Sequence, residues 1–374
     1  MKRPTKVNVH LFYGADPTQY RQGKAKGCLY GYHHAESENY HLTYSHDAKE
    51  GKIRRFFRKG LKAAVGFDFL HTWHNRRQIL DADVVWTHTE FEYLAVALLL
   101  RLHRRPKNPL LLAQSVWLFD RWHRYGPVRR LLYRSLAKRA DMMTTHSSIN
   151  QKLCKTCLGL PATQVFYGIC TDDFPISTVA PWRPHSPLRI AAIGNDRDRD
   201  WDTLIDSFYD DNRFEVRLAT RRRVRSAKQS PNIKIGPVFG LAAQRELYYW
   251  ADVIVVPLRE NKHVSGITVI LESVTYGKPV IATDVGGLQE YFSPNEVTYV
   301  PVADAIALRD AALSLSQSPE DAWNKALLAS QRLITSGYTT ANFAKQHVAL
   351  TEQMLAAACS PETGEMLTEG LRGS

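Results

Sequence analysis

Short apolar runs alternate with helix-length amphipathic stretches along most of the chain. KVNVHLFYG reads as a strand ending at Gly14. ADVVWTH, over 82–88, is strand-like and leads into a helix through EFEYLAVALLLRLHRR. PLLLAQS and ADMMTTHSS (140–148) read as two more strands, the second followed by the helix INQKLCKTCLGL. APWRPHSP, at 180–187, interrupts the pattern with its prolines and reads as a linker. The alternation then restarts, with LRIAAIG, FEVRLAT, DVIVVPL and KPVIATD as strands. RDWDTLIDSFYD, AAQRELYYWA and GITVILESVTYG are the helices between them, and Gly277 ends the last. Such alternation predicts the α/β class, with parallel sheets covered on both faces. We expect two doubly wound, Rossmann-like domains, over residues 1–180 and 181–340. A helix over 341–358 could cross back to the first domain, and the polar tail 359–374 is expected to be disordered. Ligands of these sheets bind at the carboxyl ends of the strands, here opening into the cleft between domains.

Length and charge sharpen this reading. A chain of 374 residues exceeds the usual size of one core, in keeping with two domains. No apolar run reaches the roughly 18–20 residues that cross a bilayer. The basic start lacks the apolar stretch of a signal peptide. Five scattered cysteines suggest reduced thiols and a cytoplasmic protein, with the C-x-x-C at Cys154 and Cys157 a coincidence of helix sequence. Residues 1–180 carry 28 Lys and Arg against 14 Asp and Glu, whereas residues 181–374 carry 21 against 23. The first half is therefore expected to face something anionic.

KIRRFFRKGLKAAVGF, over 52–67, sets Ile53, Phe56, Phe57 and Leu61 on one helical stripe. Arg54, Arg55, Arg58 and Lys59 fill much of the rest. PVRRLLYRSLAKR, over 127–139, repeats the pattern. Basic amphipathic helices with phenylalanines suit an anionic leaflet, which makes Arg54, Arg55, Phe56, Phe57, Arg58 and Lys59 the expected membrane-facing residues. The competing reading is a core-packed helix with a solvated basic face. Membrane binding would put the protein peripherally on the inner face of the cytoplasmic membrane. A nucleic-acid binder would also suit the charge, but no recognition motif supports it and no nucleic-acid partner is expected.

The stretch SGITVILESVTYGKPVIATDVGG, over 265–287, holds the candidate chemistry. Glu272 sits among Ile270, Leu271 and Val274, where a carboxylate is costly unless something meets it. A helix starting near Gly266 would present the backbone N–H groups of Ser265, Gly266, Ile267 and Thr268 as an anion site suited to a diphosphate. Thr268 and Glu272, four apart, share a face, so Glu272 could accept hydrogen bonds from two vicinal ribose hydroxyls. The alternative is a structural glutamate satisfied by backbone or by an arginine.

These residues resemble the donor site of retaining family-4 glycosyltransferases with the GT-B fold. The family pattern is E-G-F-G-x-x-x-x-E, then A-x-x-x-G-x-P-V-I-A-x-x-x-G-G-x-x-E. Glu272, Gly277, Pro279, Val280, Ile281, Ala282, Gly286 and Gly287 match it. VFYGICTDDF, over 165–174, resembles the family's N-G-V-D-x-x-x-F through Gly168, Phe174 and Asp172 or Asp173. The likeness is strong over about 185–300, moderate over 140–175, and one of layout only before that. It implies two GT-B domains and a UDP- or GDP-linked sugar donor. It also implies a glycan or polyprenyl-diphosphate-linked acceptor of bacterial polysaccharide assembly. A sugar-nucleotide epimerase of the same fold is the rival enzyme.

Two departures matter. The first glutamate of the pattern is Val264 here, which argues against a carboxylate nucleophile and for front-face substitution by positioning and electrostatics. In AAIGNDRDRDWDTL the family's Gly-Arg is replaced by Gly194 and Asn195, and Arg199 falls near the family's lysine. Arg199 is the expected diphosphate cation, with Arg197 in reserve; the alternative is solvated loop arginines. Asp196, Asp198 and Asp200 could hold a divalent ion, or cap the next helix. Two doubly wound domains favour capping, so no metal and no cofactor are expected. His88 ends its strand toward the cleft, where GT-B relatives often place a histidine on the donor sugar. His88, Arg199 and Glu272 are thus the candidate catalytic residues. Glu90 and Glu92 are candidates for acceptor or base roles. The basic loop with Gly23, Lys24, Lys26 and Gly27 could close over phosphates or be merely solvated.

Overall fold

The computed structural model describes residues 3–20, 29–103, 108–224 and 230–359. Gly23, Lys24, Lys26, Gly27 and the tail beyond residue 359 lie outside the described residues. Two six-stranded sheets form the core. The first contains β1 (Thr5–His10), β2 (Tyr40–Tyr44), β3 (Val84–Thr87), β4 (Leu110–Gln114), β5 (Met142–Thr145) and β6 (Thr163–Gln164), in the order β2-β1-β3-β4-β5-β6. The second contains β7 (Leu188–Ile193), β8 (Phe214–Ala219), β9 (Ile233–Gly236), β10 (Val253–Val256), β11 (Val280–Thr283) and β12 (Thr298–Val300), in the order β12-β11-β10-β7-β8-β9. All pairings within the sheets are parallel.

Central strands such as VVWT, VIVV and VIAT are buried along their whole length because helices cover both faces. The four strands not anticipated above are β2, β6, β9 and β12, and these are the four sheet edges. Each is short or half-exposed, so none carries a continuous apolar run. Residues 180–187 lack regular structure, and Asp252 pins them through its backbone carbonyl to Trp182 and its carboxylate to His185. The helix Thr340–Cys359 returns to the first sheet. There Phe343, Leu350 and Met354 pack with Val7, Val9 and Trp86, and the Trp86 indole donates to the Thr351 hydroxyl at 2.8 Å.

The helix Lys52–Val65 lies on the first domain with its apolar stripe turned outward. Ile53 and Phe56 are 78% exposed and Phe57 is 68% exposed, which contradicts a core-packed helix. Arg58 is the correction among the membrane-facing residues. It is buried, donates to Glu50 and Asp68, and lies 3.8 Å over the Tyr13 ring. Arg58 thus fastens the helix to the domain, and Arg54, Arg55 and Lys59 remain exposed. The helix Pro127–Ala137 abuts the first through Arg129 on the Ala64 carbonyl and Tyr133 on the Val65 carbonyl. Its Val128 and Leu131 are also exposed, which extends the outward apolar face.

Candidate active site

Strand order reverses between β1 and β3 in the first sheet and between β7 and β10 in the second. Ligands of open parallel sheets bind at such reversals, beyond the strands' carboxyl ends. The loops leaving β7 and β10 meet there, opposite the ends of β3 and β5. Between them lies a cavity of about 180 Å³, bounded by Tyr30, His88, Trp117 and His146 on one side and by Asp196 and residues 263–268 on the other.

Ser265, Gly266, Ile267 and Thr268 form the start of the helix Ile267–Thr275, and no side chain caps it. The Ser265 N–H donates to the His263 carbonyl at 2.7 Å and the Ile267 N–H to the Val264 carbonyl at 3.2 Å, which leaves the N–H groups of Gly266 and Thr268 to serve a ligand. Gly266 holds the left-handed conformation at φ +84°, and a Cβ there would approach Arg199 Nη1 to 2.7 Å. A Cβ on Gly194 would approach Arg199 Nε to 2.3 Å. Both glycines are needed for the Arg199 guanidinium to lie between the two loops. Arg199 is 6% exposed, and its Nε and Nη1 have no hydrogen-bond partner. Burial pulls its pKa down, and Asp196, Tyr248, Glu272 and Asp198 push it back up only in part. A cation with unmet donors in this position is suited to an anion. Arg197 stays partly exposed beside Asp198, and Asn195 accepts from the backbone of Arg221 at 2.7 Å, within its own domain.

Glu272 is buried one turn inside the same helix. Its Oε2 accepts from Gln244 at 2.8 Å and from the Tyr248 hydroxyl. Both bonds end on Oε2, so Oε1 is left without a protein hydrogen bond. Burial raises the Glu272 pKa to about 7, against the opposing pull of Tyr248, Gln244 and Arg199. Neither partner is the backbone or an arginine, as the structural alternative supposed. The helix Gly240–Trp250 that carries Gln244 and Tyr248 also walls a hollow of about 350 Å³ at the ends of β8 and β9.

In the first domain, His88 lies in a buried polar cluster. His146 Nδ1 faces the Val165 carbonyl at 2.8 Å and must carry hydrogen there, so its Nε2 accepts from the Gln114 amide at 3.1 Å. The same amide nitrogen donates to the His88 carbonyl at 3.0 Å and lies 3.3 Å from His88 Nδ1. His88 Nδ1 is therefore an acceptor, which Tyr32 meets at 2.9 Å, and Nε2 bears the hydrogen. Burial, then His146 and His347, hold the His88 pKa far below its usual value, so the ring is neutral. Tyr30 stacks on it.

The two nearby glutamates take local positions. Glu92 completes a capping box with Thr89, accepting from its backbone N–H at 2.8 Å. Glu90 is buried and accepts from the N–H groups of Val116 and Trp117, which holds the loop that lines the cavity rather than opening onto it. His146, Gln114, Trp117, Asp120 and His263 were not singled out from the sequence. The signal for His146 was legible: WTHTE and TTHSS both end a strand in a histidine that precedes a helix cap. The domains also meet at Glu290, which accepts from Ser148 and Gln164 of the first domain at 2.9 and 2.6 Å.

Residues 213–318 match the family model described as glycosyl transferases group 1. That stretch of the second domain is thus a group 1 glycosyltransferase domain, and the two parallel doubly wound sheets facing across a cleft are the GT-B fold of glycosyltransferases. The chain superposes on sucrose-phosphate synthase from Thermosynechococcus elongatus with a TM-score of 0.68 at 16% identity, over 94% of this chain and 100% of that one. It superposes on HepE of Anabaena, solved with UDP-glucose, with a TM-score of 0.66 at 12% identity, over 93% of this chain and 99% of that one. A glycosyltransferase from Rickettsia africae gives 0.63 at 13% identity, over 95% and 99%. No curated protein matches the chain by sequence.

Proposed function

We propose that the protein transfers a sugar, with retention at the anomeric carbon, from a UDP- or GDP-linked donor to a lipid-linked glycan at an anionic membrane surface. The observation that carries this reading is Arg199: a buried guanidinium with unmet donors, set between Gly194 and Gly266 at an uncapped helix start. The donor diphosphate fits against Arg199 and the N–H groups of Gly266 and Thr268. The ribose then falls toward Glu272 Oε1, and the base toward the hollow beside Gly236 and Leu247. His88 Nε2–H, across the cleft, donates to a hydroxyl of the transferred sugar.

Val264 leaves no carboxylate nucleophile at the position where the resembling family has one. The acceptor oxygen therefore attacks on the face the diphosphate leaves. The C1–O bond to phosphate breaks, the new glycosidic bond forms, and the acceptor proton passes to the departing phosphate oxygen. Arg199 and the helix start stabilise the charge that develops there, with no metal in the step.

The exposed Ile53, Phe56, Phe57, Val128 and Leu131, rimmed by Arg54, Arg55 and Lys59, support docking of the first domain on an anionic leaflet. Among the described residues no helix is long and apolar enough to cross a membrane, so the association proposed is peripheral. The test is a panel of nucleotide sugars screened by thermal stabilisation, since a ligand of the native state raises Tm. UDP- or GDP-sugars should shift the melt and the free sugars should not. An incubation without acceptor separates the epimerase alternative, which would convert the donor on its own.

A further inference from the structure

The loop after β7 supplies three aspartates, and they do different things. Asp200 is the cap of the helix Trp201–Phe208, accepting from the Thr203 hydroxyl at 2.7 Å. Capping therefore accounts for Asp200 alone. Asp196 and Asp198 turn to His263 instead. The His263 Nε2 lies 3.7 Å from Asp196 Oδ2 and 3.9 Å from Asp198 Oδ2. These separations are too long for hydrogen bonds. They lie a few tenths of an ångström beyond the roughly 3.4 Å that separates two ligands on one tetrahedral ion with bonds of about 2.1 Å, so a small inward shift would close them on an ion.

The histidine is built for this role. It is 4% exposed, and its Nε2 has no hydrogen-bond partner although it is aimed into the acidic cluster. Its other nitrogen, Nδ1, lies 2.6 Å from Asp120 of the first domain. That is the carboxylate–histidine arrangement that fixes the tautomer and turns the Nε2 lone pair toward a metal. The Lys262 N–H donates to the other Asp120 oxygen at 2.6 Å, and the Ser265 hydroxyl donates to Asp196 Oδ2 at 3.0 Å, so both carboxylates are held in place. Ligand atoms of Asp196, Asp198 and His263 all lie within 4.8 Å of one another.

We propose that Asp196, Asp198 and His263 Nε2 form a divalent-cation site at the mouth of the cleft, with Asp120 as its orienting partner from the opposite domain. Because His263 belongs to the second domain and Asp120 to the first, the ion also ties the domains together. This site stands beside Arg199 rather than replacing it, and it does not depend on the identity of the donor.

The mixed imidazole and carboxylate set favours Mn2+ over Mg2+, which prefers all-oxygen shells. The experiment is calorimetric titration of the nucleotide-free, full-length protein with MnCl2, paired with pulsed EPR of the bound ion. The expected result is one Mn2+ per chain, weaker binding of Mg2+, and nitrogen modulation that disappears in His263→Gln. Asp198→Asn should abolish the binding, and Asp120→Asn should weaken it by about 10–100-fold. Far-UV circular dichroism checks that each variant folds. If Asp196→Asn or His263→Gln does not fold, Asp198→Asn carries the test, since Asp198 is partly exposed at the loop surface. No saturable binding up to millimolar Mn2+, or unchanged binding in Asp198→Asn, overturns the proposal.

Discussion

Replacing Arg199 by methionine separates its structural cost from its functional use. The guanidinium is 6% exposed, with Nε and Nη1 unpartnered in the ligand-free protein. Each buried, unmet N–H costs about 1–3 kcal/mol. Attraction to Asp196, Asp198 and Glu272 offsets part of this. Removing the guanidinium relieves that cost, because its unmet Nε and Nη1 leave no hydrogen-bond partner behind. Methionine fills much of the same space without the unmet donors. Arg199→Met should therefore melt several degrees higher than wild type, at about 2–4 °C per kcal/mol for a domain of this size. Donor affinity should move the other way. Removing one partner of a buried charge pair costs about 2–5 kcal/mol. That corresponds to a loss in nucleoside-diphosphate affinity of about 30-fold to several-thousand-fold. Melting curves with and without UDP and GDP read both quantities in one experiment. A variant that melts lower than wild type yet keeps its full nucleotide-induced shift would make Arg199 a structural residue and refute the diphosphate assignment.

Glu272→Gln should lower donor affinity by about 1–3 kcal/mol, read by calorimetry, because a charged acceptor of the ribose hydroxyls is lost. The raised pKa of about 7 adds a pH signature: wild-type donor affinity should fall as pH drops below about 7, and the variant should show no such fall. In the ligand-free protein the same group contributes stability that is fully present below its ordinary value of 4.5 and is lost as pH rises through about 7. Replacing Arg54, Arg55 and Lys59 by serine should weaken flotation with anionic vesicles by about 3 kcal/mol while leaving the melt unchanged. Arg58→Ala should instead destabilise the fold by about 3–5 kcal/mol, since it strands the buried Glu50 and Asp68. Turnover should persist in excess EDTA because Arg199 and the helix start carry the leaving-group charge; activity abolished by EDTA and restored by Mn2+ would move the chemistry to Asp196 and Asp198.

The central strands were legible because burial on both faces writes a continuous apolar run into the sequence. The edge strands β2, β6, β9 and β12 carry no such run, and their pairing is set by neighbours far away in the chain. The helix start at 265–268 was legible because glycine and a glutamate one turn inside sit within eight residues. The cradle around Arg199 was not, since only the folded chain brings Gly194 and Gly266 against one guanidinium. Spacing likewise gave no hint that Gln244 and Tyr248 meet Glu272, because a separate helix delivers them. The stripe at 52–67 was readable as amphipathic, but its direction was not. Arg58 decides that direction, since its ion pairs with Glu50 and Asp68 fix the basic side inward at one point and leave the phenylalanines outside. The Asp120–His263 contact joins residues on opposite domains and has no sequence signature at all.

The central claim is that sugar moves from a nucleoside diphosphate to a lipid-linked acceptor through this cleft. It is tested most directly by incubating the protein with UDP- and GDP-linked sugars labelled in the sugar, alongside anionic vesicles carrying polyprenyl-diphosphate glycans. The account predicts that label passes to the lipid fraction while nucleoside diphosphate accumulates one for one, and that Arg199→Met does neither. Label that stays on the donor, or that appears in an epimeric nucleotide sugar without any acceptor, would contradict it.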